Sequence, residues 1–472
     1  MSQQESATSA NKETLPCIQP AMRQSNGTTS LRSNTVRYRC STVIHVDCIY
    51  DSTLIHATTM RLYCLTTATV VVLSTTVQVV TALAGGAATA EITTRNGVVK
   101  TQQCPGLENG MDYVKLGDSD LVVSKVCMGT MTFGEQNTLE EGVEQLNRAF
   151  DHYGINFIDT AEMYPVPTKA ETQGRTDQAV KMFLQNRKRE DVILATKVSG
   201  RSERIVWLPR REKGTSAALT REQILDSVDA SLERLGTDYI DLLQLHWPDR
   251  YTGGMFGAED FLPSQYESAP TPVEFEEQLA ALQEVVKSGK VRYVGVSNET
   301  PYGVCTMAFL AKKFPDLYPK IVSIQNSYSL CVRKDFEAGL AEACYHNNVG
   351  LLAYSPLAAG TLSGKYQDED SIPEGARLTR FPGFMDRYRD SLNSEAVSAY
   401  CDLARKHGYT PAELALSWCY HRELVASTII GATTMQQLEE NLKAYDIKLD
   451  EKVHEDIKQI YKKYTDPTKA RG

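Results

Sequence analysis

Eight short apolar runs, VCMGTM, NFIDTA, VILATKV, YIDLLQLHW, VRYVGVSN, IVSIQN, GLLAYSPL and STIIGA, recur between Val126 and Ala432, each separated from the next by a stretch long enough for a helix. Strands that alternate with helices predict a parallel sheet, because parallel neighbours need a crossover of a dozen or more residues. The helix signals are explicit: TREQILDSVDASLERLG opens at Thr220 and stops at Gly236, and PVEFEEQLAALQEVVKSGK ends in Gly289. KLDEKVHEDIKQIYKKY reads as a last amphipathic helix against the wall of the fold. An open doubly wound sheet satisfies the same alternation but wants a G-x-G-x-x-G turn after an early strand. The chain has none. The expected fold is therefore α/β, a closed (β/α)8 TIM barrel, with its functional groups at the carboxyl ends of the strands. Ahead of it, YVKLGDSDLVVSKV reads as a hairpin around Gly117, Asp118 and Ser119.

Polar residues stand at three successive strand ends: Asp159 after NFI, Lys197 in VILATKV and His246 after DLLQL, with Tyr164 five residues beyond Asp159. Each alone has an ordinary explanation, as a loop cap, a core histidine or a packed loop tyrosine. Lys197 is the hardest to explain away, since an ammonium inside a barrel needs a partner, and Asp159 on the preceding strand is the obvious one. A lysine so held favours the phenolate of a nearby tyrosine and pulls the phenol's pKa toward neutral. Such a tyrosine protonates a carbonyl oxygen as hydride reaches the carbon. Three connections are longer than a tight turn, Ser199 to Ala218, Pro248 to Pro272 and Gly364 to Asn393. Long loops at such a rim bind or cover something.

Residues 1–109 are a different material, rich in Ser and Thr, with Arg23, Arg32, Arg37, Arg39 and Arg61 and few acids. This composition is that of an organellar targeting region or a disordered extension; the location expected is plastid (chloroplast), with a cytoplasmic one as the alternative. The uncharged run within 62–90 has the length of a membrane span, but its threonines and Gln78 dilute it and argue against a membrane partner. The barrel domain is expected over 110–472. A net charge of -9 argues against nucleic acid. None of the 11 cysteines forms a CxxC pair or a zinc spacing, so no metal is expected, and those of the barrel read as buried thiols. Oligomeric state is not readable.

Asp159, Tyr164, Lys197 and His246 in these contexts resemble the catalytic tetrad of the aldo-keto reductases, and FGEQN, AEMYPVP, ETQG, HWPDRY, GVSNET and IIGATT are most similar to its Tas-type branch of bacteria and plant plastids. The resemblance implies a hairpin across the bottom of the barrel and an NAD(P)H cofactor. It implies that Ser297, Asn298 and Gln325 hold the nicotinamide amide and that Tyr354 stacks on the ring. Through SPLAAGTLSGKY it places Ser355, Leu357 and Lys365 near the phosphates, with Arg377 further along the loop. Through IIGATTMQQLEEN it assigns Gly431, Thr433, Gln437, Glu440 and Asn441 to the adenosine end. Ala432 and Gln437 stand where firmly NADP-specific members often carry Lys and Arg, so a 2'-phosphate would rest on Thr433, Gln437, Arg377 and the start of the helix instead; NADP (NADPH) is still the first expectation and NAD is not excluded. The implied reaction is reduction of an aldehyde or ketone, a small-molecule carbonyl substrate, with Trp247, Met255, Phe256 and Tyr266 as pocket candidates. The alternative is a cofactor-binding, redox-sensing regulatory subunit resembling potassium-channel β subunits. A Schiff-base aldolase using Lys197 would leave the cofactor segments without purpose.

Overall fold

The computed structural model describes residues 97–469 apart from 254–260, 369–371 and 390, together with four two-residue strands nearer the start. The chain divides into two compact units, Met1–Ile92 and Thr93–Gly472. In the first, Val36–Arg37 pairs antiparallel with Asp47–Cys48 and Ala82–Leu83 with Gly86–Ala87. The transit-like composition and the apolar run otherwise fall outside the described residues. No helix among the described residues is long and apolar enough to cross a membrane.

The second unit opens with a three-stranded antiparallel sheet, β1 (Val98–Cys104), β2 (Leu107–Lys115) and β3 (Val122–Ser124). The hairpin expected around Gly117 is β2–β3, with Tyr113 opposite Ser124 and Val114 opposite Val123. Gly117 sits at φ +53°, and a Cβ there would collide with the carbonyl oxygens of Val322 and Asn348, so the turn is pressed against the barrel and requires glycine. Strand β1 lies ahead of the boundary expected at 109/110, its pairing with β2 starting at Val98. VVKTQQC gives no periodic signal because six of its seven residues are exposed and the seventh only half-buried.

Eight parallel strands then close a barrel in sequence order: β4 (Val126–Gly129), β5 (Phe157–Asp159), β6 (Ile193–Val198), β7 (Ile240–Leu245), β8 (Val291–Ser297), β9 (Ile321–Ser327), β10 (Gly350–Tyr354) and β11 (Val425–Ile430), which returns to β4. These are the eight runs read from the sequence. They are apolar on both faces because one packs on helices and the other fills the barrel. Helix α1 (Leu139–Tyr153) starts at a Thr138–Glu141 capping box and stops at the left-handed Gly154. Helix α2 (Arg175–Leu184) follows β5, and α3 (Arg221–Leu235) runs between the predicted Thr220 cap and Gly236. Helices α4 (Phe275–Lys287), α5 (Pro301–Lys313) and α6 (Leu340–Asn347) continue the ring. Helices α7 (Ser391–Lys406) and α8 (Pro411–Tyr420) precede β11, and α9 (Met435–Lys443) follows it. The last helix, α10 (Glu451–Lys463), buries Val453 and Ile457 in the main core.

The amino ends of the strands are plugged. Val114, Leu116, Leu121 and Val123 of the hairpin pack with Phe157, Ile193, Leu242, Val322 and Ala426 in one buried cluster. Everything that ligates or reacts must therefore enter at the opposite rim. Six cysteines lie in the barrel region as expected, five of them buried and Cys305 exposed.

Candidate active site

The pairing of β5 with β6 sets Asp159 opposite Ala195, two residues before Lys197 and on the same face of the strand. Inside the barrel Lys197 is fully buried and Asp159 is 2% exposed. The Lys197 Nζ donates to Asp159 Oδ2 at 2.5 Å, to the Thr160 carbonyl at 2.9 Å and to the Tyr164 hydroxyl at 3.3 Å. All three donor positions of the ammonium are used, which is what makes its burial tolerable. The other oxygen of Asp159 accepts from Gln244 Nε2 at 3.1 Å and Gln325 Nε2 at 2.8 Å.

Tyr164 leaves the strand end on a loop fixed by its backbone. Its N–H donates to the Ala161 carbonyl, its carbonyl accepts from Gly174, and Val166 N–H donates to the Met131 carbonyl. The Tyr164–Pro165 and Val166–Pro167 bonds are cis. His246 follows β7 directly, its N–H donating to the Val198 carbonyl at 2.8 Å, and its ring stands edge-on to Tyr164 with centroids 5.7 Å apart. The four residues read as a quartet thus meet in one place.

Their electrostatics differ from the sequence expectation in one respect. Burial pushes the Tyr164 phenol above its usual value, and although Lys197 and Arg377 pull it down, Asp159 adds to the rise and the net shift is upward. A phenol drawn toward neutral was expected from the lysine alone. The desolvation that opposes it depends on how deeply the ring sits, and no motif encodes that depth. Burial also pushes the Lys197 ammonium down, but the Asp159 carboxylate and the phenol outweigh it and hold it above its usual value. Burial and the Lys197 charge hold His246 well below the usual imidazole range, so it is neutral, and its Nδ1 is buried without a partner among the described residues.

A cleft of about 1960 Å³ opens above the quartet. Asp159, Tyr164 and His246 reach it, as do Ser297, Asn298, Gln325, Tyr354, Ser355, Leu357, Lys365, Arg377, Gly431, Thr433, Gln437, Glu440 and Asn441. Of the catalytic and cofactor-binding residues assigned from sequence only Lys197 does not line it, being fully buried. Ser297 Oγ donates to the Gln325 carbonyl at 2.8 Å, Asn298 Nδ2 donates to the His246 carbonyl at 2.9 Å, and Tyr354 OH donates to Asn298 Oδ1 at 2.6 Å. Gln325 turns its amide N–H groups to Asp159 and Gln244, inside the barrel.

Two cations face the cleft without an acidic partner among the described residues. The Arg377 Nε is buried and unpaired. Burial lowers its pKa and only tyrosine hydroxyls oppose that. Lys365 is lowered by burial and then by Arg377. Two such charges side by side are costly unless an anion joins them. At the far end Thr433 Oγ1 donates to Gln437 Oε1 at 3.0 Å, and Thr434 caps α9, whose first turn faces the cleft.

Sequence reasoning missed the wall beside Tyr164. Met131 and Gln136, from the loop after β4, and Phe384, from the long loop after β10, line the cleft. Met131 and Phe384 pack with Met163 around Tyr164 and Val166. The rule that every loop at this rim contributes to a barrel's site would have pointed to the β4 loop. Trp247 lines the cleft as expected, with Nε1 donating to the Arg201 carbonyl at 2.9 Å. Tyr266 is 43% exposed and stands outside the cleft, whereas Met255 and Phe256 lie outside the described residues.

The profile of the Aldo/keto reductase family matches residues 125–462. Protein tas of Escherichia coli (strain K12) is 46% identical over 360 residues, 76% of this chain and 99% of that protein. An aldo-keto reductase of Babesia bovis is 40% identical over 285 residues, 58% of this chain and 98% of its own length. A probable voltage-gated potassium channel subunit beta of Arabidopsis thaliana is 32% identical over 347 residues, 71% of this chain and 92% of that protein. With a plugged eight-stranded barrel and a rim cleft to match, the chain belongs to the aldo/keto reductase family, oxidoreductases that act on small carbonyl compounds and generally use NAD(P)H.

Proposed function

We propose that the protein is an NADPH-dependent reductase that converts an aldehyde or ketone to an alcohol, with Tyr164 as the proton donor. The observation that carries this reading is the Lys197 ammonium, held between Asp159 Oδ2 at 2.5 Å and the Tyr164 hydroxyl at 3.3 Å, with the hydroxyl at the floor of the cleft.

The residues present fit a dinucleotide. Lys365 and the unpaired Arg377 suit its phosphates, Thr433, Gln437 and the start of α9 suit a 2'-phosphate, and Tyr354 with Asn298 and Ser297 suits the nicotinamide end. When bound, the cofactor supplies the hydride. Tyr164, kept protonated by burial, gives its proton to the carbonyl oxygen as charge develops there. Neutral His246 offers a ring N–H to the same oxygen and fixes the carbonyl's orientation. The phenolate left behind faces the ammonium of Lys197, which stabilises it until water restores the proton. Met131, Met163, Val166, Trp247 and Phe384 give the reacting end apolar walls, which suits an aromatic or otherwise apolar carbonyl compound.

A Tyr164→Phe variant tests the assignment. NADPH titrated by fluorescence should bind as in the wild type, while reduction of 4-nitrobenzaldehyde should fall by about 10²-fold or more. Undiminished turnover removes Tyr164 as the donor. Tight NADPH binding without turnover by the wild type, across aldehydes and quinones, favours the regulatory reading suggested by the channel-subunit relative.

A further inference from the structure

Behind the segment that carries Tyr164 lies a buried ionic layer that the chemistry above does not use. Glu162, 1% exposed, accepts the Ser199 N–H at 2.6 Å, and its own N–H donates to the Lys197 carbonyl at 3.2 Å. Its side chain thus ties the loop of Tyr164 to the end of the strand that bears Lys197. Arg211 reaches it from the long insertion after β6, with Nη2 3.4 Å from Glu162 Oε1 and 2.6 Å from Ser227 Oγ on α3. Two residues earlier in the loop, Thr160 Oγ1 donates to Asp177 Oδ1 at 2.8 Å, and Arg234 Nε donates to Asp177 Oδ2 at 2.8 Å.

Judged as a stability device, the Arg211 contact is a poor one. The two side chains are 3% and 2% exposed, and both Nε and Nη1 of Arg211 are buried without a partner among the described residues. A charge-assisted pair is normally about 2.7–2.9 Å long. Burying a guanidinium costs several kcal/mol, and one long ionic contact and one hydrogen bond to the neutral Ser227, with two N–H groups unpartnered among the described residues, do not offset that, so an apolar replacement of the pair should be neutral or stabilising. Its place beside the loop of Tyr164 points to another role. The same insertion lines the cleft with Arg201, Ser202 and Ile205.

We infer that Glu162 and Arg211 form a positioning pair that sets the Tyr164 hydroxyl against Lys197 and links that setting to the cleft wall formed by the insertion over 199–219. The inference rests on Tyr164 being the proton donor. Neither residue touches the reacting atoms. They act through the loop, so their loss should show in the acid strength of the phenol rather than in cofactor binding.

The test uses the full chain as Arg211→Met, Arg211→Lys and the pair Glu162→Gln/Arg211→Met, with melting temperature, NADPH affinity, kcat, KM and the pH dependence of kcat as readouts. The double variant should melt at or above the wild-type temperature and bind NADPH within about two-fold, yet lose about ten-fold in kcat. If the Lys197–Tyr164 contact loosens, the phenol becomes a weaker acid and the basic limb of the reduction profile moves to higher pH. Arg211→Lys should recover part of kcat. A wild-type kcat with an unmoved limb in the double variant overturns the inference. So does a loss of kcat that merely follows a fallen melting temperature and weakened NADPH binding, with the limb unmoved, since that is a structural role. Should Arg211→Met alone fail to fold, the double variant, which leaves no uncompensated buried charge, and Arg211→Lys decide the matter. Unimpaired turnover by Tyr164→Phe would instead strike at the reading beneath it.

Discussion

Replacing Lys197 by Met removes the charge that hydrogen-bonds the Tyr164 hydroxyl. At 3.3 Å and an effective dielectric constant of about 20, an ammonium and a phenolate attract by about 5 kcal/mol. Asp159 lies 2.5 Å from the same nitrogen and repels the phenolate, so part of that pull is already cancelled, and what remains is lost with the ammonium. The sign follows directly. Tyr164 already stands above its usual value through burial, and without Lys197 it rises further. The basic limb of the reduction profile moves up in pH, and the weaker acid transfers its proton more slowly, lowering kcat by about 10²- to 10³-fold. Alcohol oxidation, which needs the phenolate, should lose at least as much. The assay is NADPH oxidation with 4-nitrobenzaldehyde across a pH series, with NADPH fluorescence confirming that the variant still folds and binds. Because Lys197→Met leaves Asp159 buried with only Gln244 and Gln325, the variant Lys197→Met/Asp159→Asn serves as control. If kcat stays within about three-fold of wild type and the limb does not move, the lysine is not tuning the phenol and the electrostatic argument fails.

Two further outcomes are expected. In the wild type, reduction should be level through neutral pH and decline only above the ordinary tyrosine range, because burial keeps the phenol protonated. His246, held well below the usual imidazole range, should contribute no limb near about pH 6.5, and a limb there in kcat would show that its charge state matters. Arg377→Met should weaken NADPH binding by about ten-fold or more and NADH binding less, if Arg377 meets the 2'-phosphate, and equal losses would place it at the pyrophosphate. Unchanged affinity for both would remove Arg377 from the cofactor site.

The barrel was readable because its strands are buried on both faces and broken at regular intervals by helices with explicit caps, as at Thr220 and Gly236. The quartet was readable because register is local: Asp159 and Lys197 sit near the same level of adjacent strands, and a lysine in an apolar strand calls for a carboxylate beside it. Strand β1 was not, since six of its residues are exposed and it follows no period. The direction of the Tyr164 shift was missed because motifs name neighbours but not depth. Glu162 and Arg211 are 49 residues apart, and Arg211 stands in an insertion with no pattern of its own, so the chain gives no sign that they meet. Phe384 escaped for the same reason, coming from a loop whose path depends on what it covers.

The apolar plug at the amino end of the barrel divides the labour of the sequence along a single axis. Val114, Leu116, Leu121 and Val123 answer for whether the barrel holds together, while the residues of the rim answer for what it reacts with, and Ile429 and Tyr354, which join the plug's cluster and line the cleft, are where the two sets meet. Changes at the rim can accumulate without loosening the floor, and repairs to the floor can be made without disturbing the chemistry. A lineage built on this plan is free to explore new substrates through its loops while its stability is maintained elsewhere.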